Sequence, residues 1–233
     1  MKILGMEKMS LVDYDGLVAT TLFTGGCNFR CPFCHNAPLV EDYSTLPQRT
    51  EQEVFDYLQK RKGVVDGVCI SGGEPTLFRD LPMFMEKIKK LGFKIKLDTN
   101  GTNPDLVKFV HQNGLCDYFA MDIKNDFDNY SKIVGVDNYD TKNVRKTAEY
   151  FLNSNADYEF RTTLINEFHK TENIKNIASQ IKGANKYFLQ KFKDSENCLN
   201  AVNLSPVPNQ TVLDFVKILT PFVKMVATRG YDF

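Results

Sequence analysis

Short runs of β-forming, mostly apolar residues alternate along the chain with segments whose apolar positions recur at helical spacing. The first run, residues 17–23, leads into Thr24-Gly25-Gly26. Thr50-Glu51-Gln52-Glu53 then reads as a capping box, with Val54, Phe55 and Leu58 forming the apolar face of the helix it opens. The buried-strand pattern Gly67-Val68-Cys69-Ile70-Ser71 precedes a helix carrying Leu81, Phe84, Met85, Ile88 and Leu91, stopped at Gly92. Further strands are predicted over 94–98, 117–123, 158–165 and 187–192. Between and after them lie four helical patterns. The first starts at Asn103-Pro104 and carries Leu106, Val107 and Val110. The others carry Val144, Ala148, Phe151 and Leu152; Ile174, Ile177, Ala178 and Ile181; and Val212, Phe215, Val216 and Leu219.

Six strand–helix units in alternation imply an α/β fold with a parallel sheet and right-handed crossovers. Eight units in about 250 residues make a complete barrel. Six units in 233 residues predict a partial barrel or an open doubly wound sheet. In either case the site belongs at the C-terminal ends of the strands. No Pro-, Gly- or Ser-rich linker divides the chain, so a single domain over 1–233 is expected, with a core over 16–192 and a helix and tail over 205–233.

Composition narrows the function without naming it. With 29 basic and 29 acidic residues the formal net charge is zero, which argues against broad capture of nucleic acid or an anionic membrane. No apolar stretch approaches the roughly 20 residues of a membrane span, and residues 1–10 carry charges but no signal-peptide core. A cytoplasmic location is therefore expected, where thiols stay reduced and six cysteines point to metal binding, catalysis or burial rather than disulfides.

Three of those cysteines fall within Gly26-Cys27-Asn28-Phe29-Arg30-Cys31-Pro32-Phe33-Cys34-His35-Asn36, directly after the first strand. Thiolates spaced C-x3-C-x2-C can wrap one iron–sulfur cubane, which normally takes four ligands, so three leave one iron open to chemistry. A zinc site would need His35 as its fourth ligand, and three unliganded buried cysteines are the plainest alternative.

The triad, with Phe33 before its last cysteine, resembles the cluster motif of radical S-adenosylmethionine (SAM) enzymes. Ser71-Gly72-Gly73-Glu74-Pro75, at the end of the second strand, looks like that family's GGE motif. The resemblance implies a partial (β/α)6 barrel in which Cys27, Cys31 and Cys34 hold a [4Fe–4S] cluster and Phe33, Gly72, Gly73 and Glu74 contact SAM. Glycines let backbone approach a ligand, and Glu74 can accept a charge-assisted hydrogen bond from the methionine ammonium.

Downstream, Asp98-Thr99-Asn100-Gly101 and Met121-Asp122-Ile123-Lys124 resemble segments of the glycyl-radical-enzyme activases. By that resemblance Asp98 and Lys124 lie on the ribose and carboxylate sides of the cofactor, while Asp98, Thr99 and Asp122 match positions that bind a monovalent cation in relatives. Arg161 and Gln190 likewise match cofactor-proximal positions. The chain departs from the pattern at Leu164-Ile165-Asn166-Glu167, where relatives often turn on Pro-Gly, and this leaves the place of His169 undefined. Ordinary readings exist for both segments: Asp-Thr-Asn-Gly is a good turn sequence, and Asp122 with Lys124 can form a surface ion pair.

The resemblance spans residues 16–192 and is most specific for anaerobic ribonucleoside-triphosphate reductase activating proteins. No ferredoxin-like insert separates Cys34 from Thr50, so one cluster is expected; Cys69 and Cys116 read as core residues, and Cys198 has no assigned role. The implied activity is reductive cleavage of SAM to a 5′-deoxyadenosyl radical that takes an α-hydrogen from a glycine of a partner glycyl radical enzyme. Flavodoxin or ferredoxin would donate the electron, in an anaerobic setting. Partner choice would lie in residues 125–140 and beyond 205. Two rivals remain: a radical SAM enzyme acting directly on a peptide or small metabolite, and a noncatalytic metal-binding or electron-transfer module. The module would need neither an open iron nor the Gly-Gly-Glu turn.

Overall fold

The computed structural model describes all 233 residues. The chain forms two compact units, Met1–Asn28 with Pro38–Ala120 and Phe29–Ala37 with Met121–Phe233. Each unit is assembled from two separate stretches of the chain.

In the first unit, β1 (Ile3–Ser10) runs antiparallel to β2 (Ala19–Thr24), and β2, β3 (Gly67–Gly72) and β4 (Lys94–Thr99) pair in parallel in chain order. A short α1 (Ala37–Val40), α2 (Glu51–Lys60), α3 (Leu81–Lys90) and α4 (Pro104–Gln112) supply its helical layer. The Thr50 capping box forms: Glu53 N–H donates to Thr50 Oγ1 at 3.1 Å, and Thr50 N–H donates to Glu53 Oε2 at 2.7 Å. Asn103 caps α4 with its side-chain oxygen, ahead of Pro104.

β5 (Tyr118–Asp122) spans the junction of the two stretches. The second unit continues with α5 (Tyr130–Val134), α6 (Lys142–Leu152), β6 (Tyr158–Leu164), α7 (Thr171–Gln180), β7 (Lys186–Lys191), α8 (Asn209–Leu219) and β8 (Met225–Arg229). β6, β7 and β8 are parallel neighbours. β1 pairs only with β2 and β8 only with β7, so the strands do not close, as a partial barrel requires.

All six expected strands are present. β1 and β8 are additions to the sequence reading. β1 carries two register irregularities against β2, between Ile3 and Gly5 and between Glu7 and Ser10, which break the two-residue alternation that would have betrayed it.

The parallel strands are two-sided in a way that positions the site. Along β4, Ile95 and Leu97 are fully buried on one side, where α3 packs, while Lys96 and Asp98 share the other. Along β6, Phe160, Thr162 and Leu164 alternate with Glu159, Arg161 and Thr163. Pairing puts Phe188 beside Arg161 and Gln190 beside Thr163, so Gln190 shares the Arg161 face. Each unit thus turns an aliphatic side to its helices and a polar side away from them.

In the second unit α6 is joined to its sheet by aromatic packing. The Phe151 ring stacks on Tyr158 with centroids 5.1 Å apart and meets Phe160 edge-on at 6.4 Å. Phe151 has no exposed surface. Phe151→Ala is therefore expected to destabilise the protein by about 3–5 kcal/mol, read as a lower denaturant midpoint at unchanged slope.

Candidate active site

In the first unit the ends of β2 and β3 interlock through their backbones. Gly73 N–H donates to Thr24 O at 2.9 Å and Glu74 N–H to Gly26 O at 2.8 Å. This contact explains the paired glycines. Gly72 has φ +107°, and a Cβ added at Gly73 would lie 1.9 Å from Gly26 O. The turn after β3 is therefore pressed directly onto the backbone that leads into Cys27.

Glu74, 1% exposed, points its carboxylate into the protein. Oε1 accepts from Thr76 N–H at 3.0 Å, Thr76 Oγ1 at 2.5 Å and Thr99 Oγ1 at 2.9 Å, and Oε2 accepts from Asn100 N–H at 2.6 Å. Burial pushes its pKa up, and the four donors pull the other way by favouring the charged form. Asn100 Nδ2 in turn donates to Asn28 Oδ1 at 2.8 Å and to Cys27 Sγ at 3.8 Å. On the polar side of β4, Asp98 accepts from Lys96 Nζ at 2.8 Å and Ser71 Oγ at 2.9 Å. Lys96 is itself buried and reaches the Cys69 sulfur at 3.9 Å.

The second unit carries Cys31, Phe33 and Cys34 together with an ion-pair triad. Arg161 Nε donates to Asp122 Oδ1 at 2.5 Å and Lys124 Nζ to Asp122 Oδ2 at 2.8 Å, so one carboxylate bridges two cations and leaves one positive charge in excess. The Lys124 ammonium also lies 5.8 Å from the Phe33 ring centroid. Burial opposes the Lys124 charge, yet Asp122 and the Cys31 sulfur hold its pKa above the ordinary lysine value. Burial likewise opposes the Asp122 charge, and Arg161 and Lys124 overcome it to hold that carboxyl below its usual range. Burial raises the Cys34 thiol, with Lys124 acting to lower it.

His169 is 1% exposed and ties this triad to the end of β6. Ile165 N–H donates to Nδ1 at 2.9 Å, while Nε2 stands 2.8 Å from Lys124 O. Ile165 O also lies 3.2 Å from Nδ1, but the amide N–H is nearer and can only donate, so the ring is assigned as neutral with its proton on Nε2, toward the Lys124 carbonyl. Burial keeps its pKa below the ordinary histidine value.

None of the six cysteines is disulfide-bonded, and soft thiolates on one short loop suit an iron–sulfur cluster. Cys69 and Cys116 are buried, as expected of core residues. Cys198 lies against the cysteine loop, its sulfur 3.6 Å from His35 Nδ1 and 3.7 Å from Ser195 Oγ. Its loop is laced there by Leu199 N–H to Cys34 O at 3.2 Å and Asn200 N–H to Pro32 O at 2.8 Å.

The first unit thus gathers Gly72, Gly73, Glu74, Asp98 and Thr99 around the residues that lead to Cys27, and the second gathers Cys31, Phe33, Cys34, Asp122, Lys124 and Arg161. Residues not singled out from sequence are Asn28, Lys96, Asn100 and Tyr130, whose hydroxyl accepts from Lys124 N–H at 3.1 Å. Asn100 stood inside a quoted motif. Lys96 could have been found from strand alternation, since it falls between two fully buried residues.

A family model for the radical SAM superfamily matches residues 21–182. A Methanocaldococcus jannaschii protein assigned as a glycyl-radical enzyme activating enzyme is 31% identical over 233 residues, covering 97% of this chain and 94% of its own. A crystallised domain of a pyruvate-formate lyase-activating enzyme from Bacteroides vulgatus superposes with a TM-score of 0.57 at 20% identity, over 71% of this chain and 99% of that one. Streptococcus suis SuiB bound to precursor peptide SuiA superposes with a TM-score of 0.69 at 16% identity, over 90% of this chain and 48% of SuiB.

Two outcomes test this geometry. Gly73→Ala must displace backbone rather than a side chain, and is expected to destabilise by about 3 kcal/mol, the upper end of overpacking effects, in thermal or denaturant unfolding. For His169, the unfolded chain binds more protons than the folded one once pH falls below about 6.5. The stabilisation this residue contributes is full above that pH and shrinks as pH falls toward the lower folded value. The gap in melting temperature between wild type and His169→Gln should narrow from pH 8 to pH 5; a constant gap would contradict a neutral buried imidazole.

Proposed function

The chain belongs to the radical SAM superfamily, and we propose that this radical SAM enzyme is an activase that installs a glycyl radical in a partner enzyme. The observation that carries the reading is similarity along almost the whole length of both chains to an assigned activating enzyme. The anaerobic ribonucleotide reductase is the partner we infer, from the resemblance over residues 16–192 to its activating proteins. A reduced flavodoxin or ferredoxin would be the electron donor, in a cytoplasmic, anaerobic setting. No helix is long and apolar enough to cross a membrane.

In this reading Cys27, Cys31 and Cys34 hold a [4Fe–4S] cluster, and Phe33, Gly72, Gly73, Glu74, Asp98, Lys124, Arg161 and Gln190 surround SAM. When bound, the pair would convert one electron taken from the donor into methionine and a 5′-deoxyadenosyl radical able to take a glycine α-hydrogen. The residues of the chain orient and neutralise. The excess positive charge of Lys124 and Arg161 around Asp122 suits a carboxylate, and Phe33 shields the Lys124 ammonium from water on one side. Lys96 draws on the Asp98 carboxylate but leaves its other oxygen on Ser71, whose hydroxyl can turn away. A monovalent cation at Asp98, Thr99 and Asp122 has least support, because Asp98 and Asp122 are ion-paired and the Thr99 hydroxyl is committed to Glu74.

The second reading, direct action on a peptide or small molecule, draws on the likeness in fold to SuiB. The two separate in one experiment. Anaerobically reconstituted, reduced protein is mixed with SAM and the host ribonucleotide reductase, then examined by electron paramagnetic resonance. A glycyl-radical doublet is expected from wild type, with loss of both the doublet and 5′-deoxyadenosine in Cys31→Ala. Formation of 5′-deoxyadenosine with no doublet on any glycyl radical enzyme of the host would favour the second reading.

A further inference from the structure

We propose that Asn100 is the outer-sphere hydrogen-bond donor to the Cys27 ligand, and that Glu74 is a positioning residue which holds Asn100 there rather than a contact of the SAM ammonium. The proposal rests on the reading above only in taking Cys27 as a cluster ligand.

A carboxylate offers about four lone-pair positions. Three donors from the protein meet Oε1 of Glu74 and one meets Oε2, and the group is 1% exposed. An ammonium would have to enter a site closed to solvent and crowd the Asn100 N–H on Oε2, since Oε1 already faces three donors. The donors come from two turns. Thr76 lies just after β3, whereas Thr99 and Asn100 end β4, so the carboxylate bolts one turn to the other.

The orientation of the Asn100 amide then follows without choice. Its Oδ1 accepts from Thr102 N–H at 3.1 Å and Thr102 Oγ1 at 2.8 Å. A backbone N–H can only donate, so the oxygen must face Thr102 and the NH2 must face the other way. There it meets Asn28 Oδ1 at 2.8 Å and Cys27 Sγ at 3.8 Å. Asn28 is itself pinned, since its Nδ2 donates to Thr102 Oγ1 at 3.0 Å. The Cys27 sulfur therefore sits at the end of a closed network that begins at Glu74. An N–H···S bond withdraws electron density from a ligating sulfur and favours the reduced cluster, so it raises the reduction potential. That matters for an enzyme whose first requirement is to accept an electron.

The test is the reduction potential of the reconstituted [4Fe–4S] protein in the absence of SAM, followed by electron paramagnetic resonance. Asn100→Leu keeps the shape and removes the donor; it should bind iron in full and shift the potential downward. Glu74→Gln should shift it in the same direction, and the double variant should add little beyond the larger single effect, since both act through one bond. If Glu74→Gln weakens SAM binding while the SAM-free potential stays at the wild-type value, Glu74 contacts the cofactor and the positioning role is overturned. An unchanged potential in Asn100→Leu overturns the donor role, even if Glu74→Gln proves too unstable to purify. Iron content of Cys27→Ala separates the two layers: retention of four irons removes Cys27 as a ligand and fails the underlying reading, not the network.

Discussion

A single carboxylate holds the first unit in working order. Glu74 is a charged group carried into an interior where it would be unfavourable alone, and four donors from two different turns make it tolerable. Because each donor is part of a strand end, satisfying the charge and assembling the ends of β3 and β4 are the same event. The glycines before it complete the arrangement by letting the backbone of β3 touch the backbone of β2. Neither the turn nor the loop it supports could be reshaped without stranding a buried polar group.

The second unit solves a related problem with opposite charges. Asp122 is shared by Arg161 and Lys124, so the positive groups are held at defined positions without being fully neutralised. His169 acts on the same residue from the main-chain side, fixing Lys124 through its carbonyl. Side chain and backbone of one lysine are thus restrained independently. If these groups meet an anionic ligand, as proposed, such preorganisation raises affinity, because little side-chain freedom is left to lose on binding.

What could be read from the sequence was whatever depends on neighbours along the chain. The six strands and the Thr50 and Asn103 caps are local patterns, and all are where they were expected; the cysteine triad is likewise legible as a local spacing. β1 escaped because its irregular pairing erases alternation, and β8 because one exposed and four half-buried residues ending in Arg229 carry little pattern. The inward turn of Glu74 was hidden for a different reason: Thr99 lies 25 residues away and only the meeting of strand ends makes it a donor. Spacing left Cys198 without an assigned role, and its sulfur meets His35 across 163 residues. The Gly-Gly-Glu motif was legible as a motif, but not which way its carboxylate faced.

The two-sidedness of the strands has a consequence for how the sheet assembles. Val68 pairs with Ile95 and Cys69 with Lys96. If β4 slipped by one residue, Lys96 and Asp98 would enter the aliphatic layer under α3, and Ile95 and Leu97 would leave it. Two charges would lose their surroundings at once, which no compensating contact on that side could offset. The same charged residues that face the proposed chemistry therefore act as a proofreading code, rejecting misaligned strands before a folded but inactive protein can accumulate.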